Sequence, residues 1–347
     1  MFNNLRFAHL AAGFAVCLAV ALPDRGFAQE AAPQSGQPSL RERLRQRAAD
    51  RNNPASESAS AAAGTPITGP GDYSFSIVHA GLTRLYRVHV PPGYSPATPM
   101  PVVFSFHGGG GNMDYQANDT YYGQVSKADQ AGFVAVFPNG YSRFKGGKLA
   151  TWNAGNCCGQ ARDQSVDDVG FIREIVKRLS AQPGIDAKRI FANGISNGGM
   201  MSYRLACEMP DVFKAIASVA GTDNTKACAP RLPISILHIH AKDDELELFG
   251  GGAGRKSDKV TAFVSVPDSI AKWVQLNGCS TTPKRVFENT GAYCDAYSSC
   301  RGGVEVRLCV TETGGHSWPG GKKPRGNTPG STALSATDVI SDFFVSR

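Results

Sequence analysis

The chain has 347 residues, 41% of them apolar and 19% charged, with a formal charge of +7. That balance is globular and excludes a disordered chain or a low-complexity fibre. The charge is mild and most of it sits in one short segment, so neither nucleic-acid binding nor insertion into a membrane is implied.

Residues 1–28 carry the pattern of an export signal. Arg6 supplies the positive start, Ala8 to Leu22 is apolar but too short to span a bilayer, and Gly26-Phe27-Ala28 offers small residues for cleavage. Cys17 follows Val16, which is not small, so no lipid anchor is expected. Beyond the signal lie eight cysteines, at 157, 158, 207, 228, 279, 294, 300 and 309. An even count in an exported chain argues for disulfides and a secreted location, extracellular or periplasmic. Cys157 and Cys158, being adjacent, are expected to bond to different partners, and Cys207 with Cys228 is an expected pair. The remaining connectivity is open.

Residues 29–66 are rich in Ala, Ser, Pro, Gln and Arg, with almost no large apolar side chains, and read as a disordered linker holding the basic stretch Arg41–Arg47. From residue 67 to 347 apolar runs alternate with helical patterns. Strands are predicted at Tyr73–Val78, Arg84–Val90, Val102–Phe106, Phe133–Phe137, Arg189–Asn193, Ala215–Val219, Ile234–His240 and Glu305–Val310. The first two form an antiparallel pair turning at Ala80-Gly81, and the later, continuously apolar ones suit parallel strands buried on both faces. Helices are predicted at 169–179 after a capping box Ser165-Val-Asp-Asp168, at 200–208, at 270–276 after Ser265-Val-Pro-Asp268, and at 336–344. This alternation implies an α/β domain, a doubly wound, mostly parallel sheet of about eight strands with helices on both faces. Reactive groups then belong at the carboxyl ends of the strands.

Four segments carry chemistry, in a telling order. Phe106-His107-Gly-Gly-Gly-Gly-Asn112 ends a strand in glycines, whose N–H groups can approach a developing oxyanion with no side chain in the way. Gly109, with Gly110 as runner-up, is the candidate donor, and His107 is read as closing the loop by hydrogen bonds. Gly194-Ile-Ser-Asn-Gly198 is a nucleophile elbow: a strained strand-to-helix turn that lifts the Ser196 hydroxyl clear and aims the Asn197 N–H at the same oxyanion. Ile234–His240 ends in Asp243 and Asp244, either of which can orient a base. His238 and His240 are read as packing residues, since the spacing to Asp243 breaks a metal motif. Thr313-Gly-Gly-His316 places a histidine in a glycine-rich loop after the last strand. Serine needs such a base, and the base needs a carboxylate.

Together these segments resemble the secreted polyhydroxybutyrate depolymerase family of α/β-hydrolases, which also holds feruloyl and acetylxylan esterases. The likeness covers about residues 70–345. Its more specific stretches are Thr151-Trp-Asn-Ala-Gly-Asn-Cys-Cys-Gly159 with Val166-Asp-Asp-Val-Gly-Phe171, and Gly314-Gly-His-Ser-Trp-Pro-Gly320. The resemblance implies Ser196 as nucleophile, His316 as base and Asp244 as the acid, with Asp243 a rival. It also casts Trp152 and Trp318 as walls of the substrate pocket. The chain departs from the family at Ala241 and at Glu245-Leu-Glu-Leu248, which replaces a proline-containing turn. The implied reaction is ester hydrolysis through an acyl-enzyme, with no cofactor and no metal. No polymer-binding domain is recognised after Arg347, and 29–66 is too polar to be one, which favours soluble hydroxyalkanoate, feruloyl or acetyl esters over solid polyester. Two other readings stay open: a non-catalytic envelope or glycan-binding protein on a hydrolase scaffold, and a serine peptidase using the same residues.

Overall fold

The computed structural model describes residues 66–257, 261–323 and 329–347, together with a backbone strand at 60–61. The expected export signal, the stretch Arg41–Arg47 and most of the expected linker lie outside those residues. Eleven strands form one sheet: β1 (Ser60–Ala61), β2 (Gly71–His79), β3 (Leu82–Val90), β4 (Met100–Phe106), β5 (Val134–Pro138), β6 (Ile185–Ile195), β7 (Phe213–Val219), β8 (Ser235–Ala241), β9 (Lys284–Asn289), β10 (Ala292–Tyr297) and β11 (Val306–Thr311). Their spatial order is β1-β2-β3-β5-β4-β6-β7-β8-β11-β10-β9.

The centre follows from the sequence. β5 and β8 are buried along their whole length and the inner parts of β4, β6 and β7 nearly so, as expected of strands covered on both faces. They pair in parallel, with β11 joining β8. β2 and β3 form the expected hairpin, with Ala80 and Gly81 both at positive φ. The count exceeds the expected eight because of β1, inside the stretch read as linker, and the antiparallel β9–β10 pair. β9 is exposed at every position and strongly charged, so it carries no hydrophobic alternation to betray it.

Helices cover both faces. α1 (Met113–Gln116), α2 (Asp119–Tyr122), α3 (Gln124–Ala131) and α4 (Gly159–Asp163) are short. The long ones are α5 (Asp168–Ser180), α6 (Asn197–Glu208), α7 (Val266–Asn277) and α8 (Ala336–Val345). α5, α6 and α7 pack with Phe104, Phe213 and Ile236 in one core, while α8 packs with Phe137, Phe191 and Leu237 in the other. α7 is capped as expected, Ser265 accepting from Asp268 N–H at 3.0 Å. α5 is not capped by Ser165. That residue sits at positive φ two residues too early, and Asp167 caps the helix by accepting from Gly170 N–H at 2.9 Å.

The described cysteines form four disulfides, the expected Cys207–Cys228 among them, with Cys279–Cys300 and Cys294–Cys309. Cys157 and Cys158 bond to each other, against expectation. The peptide between them is cis, which brings their Cα atoms to 3.0 Å, a separation that reasoning from ordinary trans peptides leaves out.

One buried ion pair ties the hairpin to α5. Arg84, 3% exposed, donates to Asp168 Oδ1 at 2.6 Å, and Asp168 is fully buried. Burial pushes the Asp168 carboxyl up even against the attraction of Arg84. Removing one partner strands the other charge in the core, so Arg84→Ala is expected to cost about 3–5 kcal/mol. Urea unfolding measures it, and a loss below about 1 kcal/mol would show that the pair is structurally idle.

Candidate active site

Strand register assembles the site. Phe106 on β4 lies opposite Gly194 on β6, Ile195 opposite Val219 on β7, and Thr311 on β11 opposite Ala241 on β8. The carboxyl ends of these five strands therefore lie within about two residues of one another, and the loops that follow them meet over one edge of the sheet.

Ser196 stands between β6 and α6 at φ 56° and ψ −127°, a strained conformation for a residue with a side chain. Its N–H donates to Val219 carbonyl at 2.8 Å. The turn closes only without side chains around it. A Cβ on Gly194 would overlap Gly198, one on Gly198 would overlap the carbonyl oxygens of Phe106 and His107, and one on Gly221 would overlap the carbonyl of Ser196.

The glycine run after β4 packs directly on this turn. A Cβ on Gly108 would lie 3.4 Å from Ser196 Cβ, and one on Gly109 3.8 Å from Asn197 Cβ. Gly110 N–H donates to Ala150 carbonyl at 2.8 Å, which removes the runner-up. Among the described residues no backbone carbonyl takes the N–H of Gly109 or of Asn197, and Asn197 is the first residue of α6, where N–H groups have no intrahelical acceptor. His107 is fully buried; its Nε2 accepts from Gly140 N–H at 3.0 Å and its Nδ1 donates to Gly108 carbonyl at 2.9 Å. Burial pushes its pKa down to about 4, so it stays neutral and holds the loop.

His316 Nδ1 and Asp244 Oδ2 are 2.8 Å apart. Asp244 is 2% exposed. Burial alone would raise its pKa, but His316 and a 3.4 Å approach from His240 Nε2 hold it well below the usual carboxylate range. For His316, burial works against the imidazolium, and the Asp244 carboxylate outweighs it, leaving the pKa above 6.5. Asp243 takes a different place: it accepts from Gly315 N–H at 2.7 Å and Gly314 N–H at 3.3 Å, bracing the histidine loop.

Ser196 and His316 line one cleft of about 750 Å³, walled by Tyr115 and Tyr122 and rimmed by Arg255, Lys256 and Lys323. Trp152 and Trp318 do not line it. Both are in the core, at 0% and 2% exposure, because their indoles are tied inward. Trp152 Nε1 donates to His107 carbonyl at 3.0 Å and Trp318 Nε1 to Thr337 Oγ1 at 2.9 Å. Each supports the site from behind. The Asn197 side chain accepts from Trp152 N–H at 2.7 Å and donates to its carbonyl at 3.0 Å, while Trp318 meets Tyr122 edge-on at 5.5 Å.

Sequence reasoning missed Glu247. It is 1% exposed, and its Oε1 lies 3.4 Å from Ser196 Oγ, within reach of the nucleophile's hydroxyl. Its Oε2 accepts from Thr222 N–H at 3.2 Å. The signal was present in Glu245-Leu-Glu-Leu248, noted only as a departure. Histidines 238 and 240 are buried as expected, but they also form a chain. The hydrogen-bond pattern assigns Tyr203 O–H donating to His238 Nδ1 (2.9 Å), His238 Nε2 to His240 Nδ1 (3.1 Å) and His240 Nε2 to the Glu247 carbonyl (2.9 Å). Among the described residues no cluster of His, Cys, Asp or Glu is arranged to hold a metal ion.

A parallel sheet with a serine elbow and a histidine–carboxylate pair at its strand ends defines an α/β-hydrolase. The acetyl xylan esterase from Aspergillus awamori shares this fold, with a TM-score of 0.52 at 14% identity over 78% of this chain and 98% of that one. The family model described as Esterase PHB depolymerase matches residues 84–266, and the chain belongs to that family of carboxylic-ester hydrolases. Feruloyl esterase B of Piromyces equi is 31% identical over 247 residues, 69% of this chain and 44% of that protein. The putative esterase NocK of Nocardia uniformis subsp. tsuyamanensis is 29% identical over 302 residues, 81% of this chain and 84% of that protein. The chain thus spans less than half the length of the first of these relatives.

The elbow glycines give a sharp test. Gly198→Ala should abolish soluble, active protein, because the clash is with backbone carbonyls that cannot swing away. Gly250→Ala, with nothing within 4 Å of the added carbon, should be silent in the same expression and thermal-melting assays. Equal behaviour of the two variants would contradict the packing described.

Proposed function

We propose that the chain is a secreted serine esterase that cleaves soluble carboxylic esters through an acyl-enzyme. The observation that carries the reading is the 2.8 Å contact of Asp244 with His316 Nδ1, in the cleft that also exposes Ser196 at its elbow. Asp244 fixes the imidazole so that Nε2 is the free base. The Ser196 proton passes to Nε2 as Oγ bonds to the ester carbonyl carbon, and the carbonyl electron pair collects on oxygen between the N–H groups of Gly109 and Asn197. Each such donor contributes roughly 3 kcal/mol to the transition state. Collapse expels the alcohol, which takes the proton from His316. Water, deprotonated by the same nitrogen, then frees the acid.

The tyrosine wall of Tyr115 and Tyr122, together with the relative named feruloyl esterase B, supports an aromatic acyl group such as ferulate over a hydroxyalkanoate. Residues 67–347 are the catalytic domain in this reading, residues 1–28 the export signal and 29–66 a linker whose residues 60–61 add a strand to the sheet. The four disulfides support export, since such bonds persist in oxidising compartments.

Hydrolysis of p-nitrophenyl acetate and butyrate, methyl ferulate and soluble 3-hydroxybutyrate oligomers tests the reading. Methyl ferulate should have the highest kcat/KM. Ser196→Ala and Asp244→Asn should each lower kcat by about 10³–10⁴-fold or more, and Asp243→Asn by far less. Full activity in Ser196→Ala, or none on any ester from folded protein, would overturn it.

A further inference from the structure

Glu247 is a carboxyl that the mechanism above does not use, placed on the atom that the mechanism depends on. Its side chain is held between Ser196 Oγ and Thr222 N–H. Its backbone is fixed on both sides, the N–H donating to Asp244 Oδ1 at 3.0 Å and the carbonyl accepting from His240. The carboxyl therefore cannot drift from the nucleophile without disturbing the acid that orients the base. The titratable groups around it are Asp244 on its own loop, His240 on β8, and His316 on the loop after β11, with Lys323 beyond. From the turns after β6 and β7 the Ser196 hydroxyl and the Thr222 N–H meet its carboxyl.

We propose that Glu247 is a positioning residue that sets the direction of the Ser196 hydroxyl, and so makes the esterase sensitive to alkaline pH. As a neutral acid, Glu247 donates its own proton to Ser196 Oγ and leaves the serine proton to His316. As a carboxylate it can only accept, so it captures the serine proton and turns the nucleophile away from its base. The carboxylate also adds a second negative charge beside Asp244, close to where the oxyanion forms. Both effects act in one direction: ionisation of Glu247 lowers activity. Burial pushes its pKa up to about 8, which puts the change inside a range easily assayed.

The sign follows for the whole profile. Activity rises as His316 loses its proton, above 6.5, and falls as Glu247 loses its own, near 8. A serine hydrolase governed by its histidine alone rises and then stays level. The inference rests on the esterase reading, and the experiment separates the two. kcat/KM for p-nitrophenyl butyrate is measured from pH 5 to 9.5 on the full chain, with Ser196→Ala as the blank. Glu247→Gln presents a neutral donor at every pH, and Glu247→Val presents no titratable group. The readout is the shape of the profile, not its height. The wild type should fall roughly tenfold per pH unit above the upper midpoint, reversibly on return to pH 7.5, and both variants should lack that fall. No serine-dependent turnover would sink the esterase reading. Turnover that stays level to pH 9.5 in the wild type, an irreversible fall, or the same fall in either variant would sink the role of Glu247. Because the wild-type profile alone can overturn the proposal, it does not depend on either variant folding.

Discussion

The close approach of backbone to backbone around Ser196 is the constraint on which the other features depend. At Gly194, Gly198, Gly199 and Gly221 a single added carbon would run into a neighbouring atom. These absences let β6 turn into α6 within one residue, and let the loop after β4 lie against that turn. The strain at Ser196 is then held by strands on both sides: β4 through the glycine run, and β7 through the Val219 carbonyl. Because the turn is fixed by packing, the Asn197 N–H is held in place, and in the proposed mechanism it needs no rearrangement to meet a charge that appears only in the transition state.

A second network secures the same corner from the hairpin side. Arg84 grips Asp168, whose other oxygen accepts from Asn153 N–H at 2.8 Å, and the adjacent Trp152 backbone is clasped by the Asn197 side chain. A charge pair at the start of α5 thus positions a segment without secondary structure against the first residue of α6. On the opposite side, the line from Tyr203 through His238 and His240 does comparable work for the loop holding Asp244 and Glu247. Burial and the neighbouring His240 drive the pKa of His238 well below its usual value, so the ring at the centre of that line stays neutral.

What the sequence disclosed and what it withheld divide along physical lines. That Ser196, His316 and the glycine loop meet at the strand ends was legible because the chemistry read into them demands particular residue types there. The central strands were legible because burial on both faces leaves unbroken apolar runs. The resemblance put the acid on Asp244, but the residues alone left Asp243 open because both leave β8 together; their contacts separate them, Asp244 with His316 and Asp243 with the Gly314 and Gly315 N–H groups. Trp152 and Trp318 were misplaced because an indole suits a pocket wall as well as a core, and the difference lies in where its N–H finds an acceptor. β9 was missed because it is exposed and charged along its length, β10 although its AYCDAY run alternates buried and half-buried positions, and Glu247 because a glutamate in a loop is ordinarily solvated. Its burial is a property of the tertiary fold.

The near-level strand ends have a further consequence in time rather than in space. The glycine loop begins at residue 107 and the histidine of the cleft lies at 316, with β11, the strand that delivers it, seated beside β8. No contiguous fragment contains the site, and its pieces meet through contacts of long sequence separation, the kind that form late in folding. A growing or half-folded chain is accordingly silent toward esters. In the proposed mechanism catalysis switches on only when the last parallel strand has docked, so turnover would itself report that the parallel part of the sheet is in place.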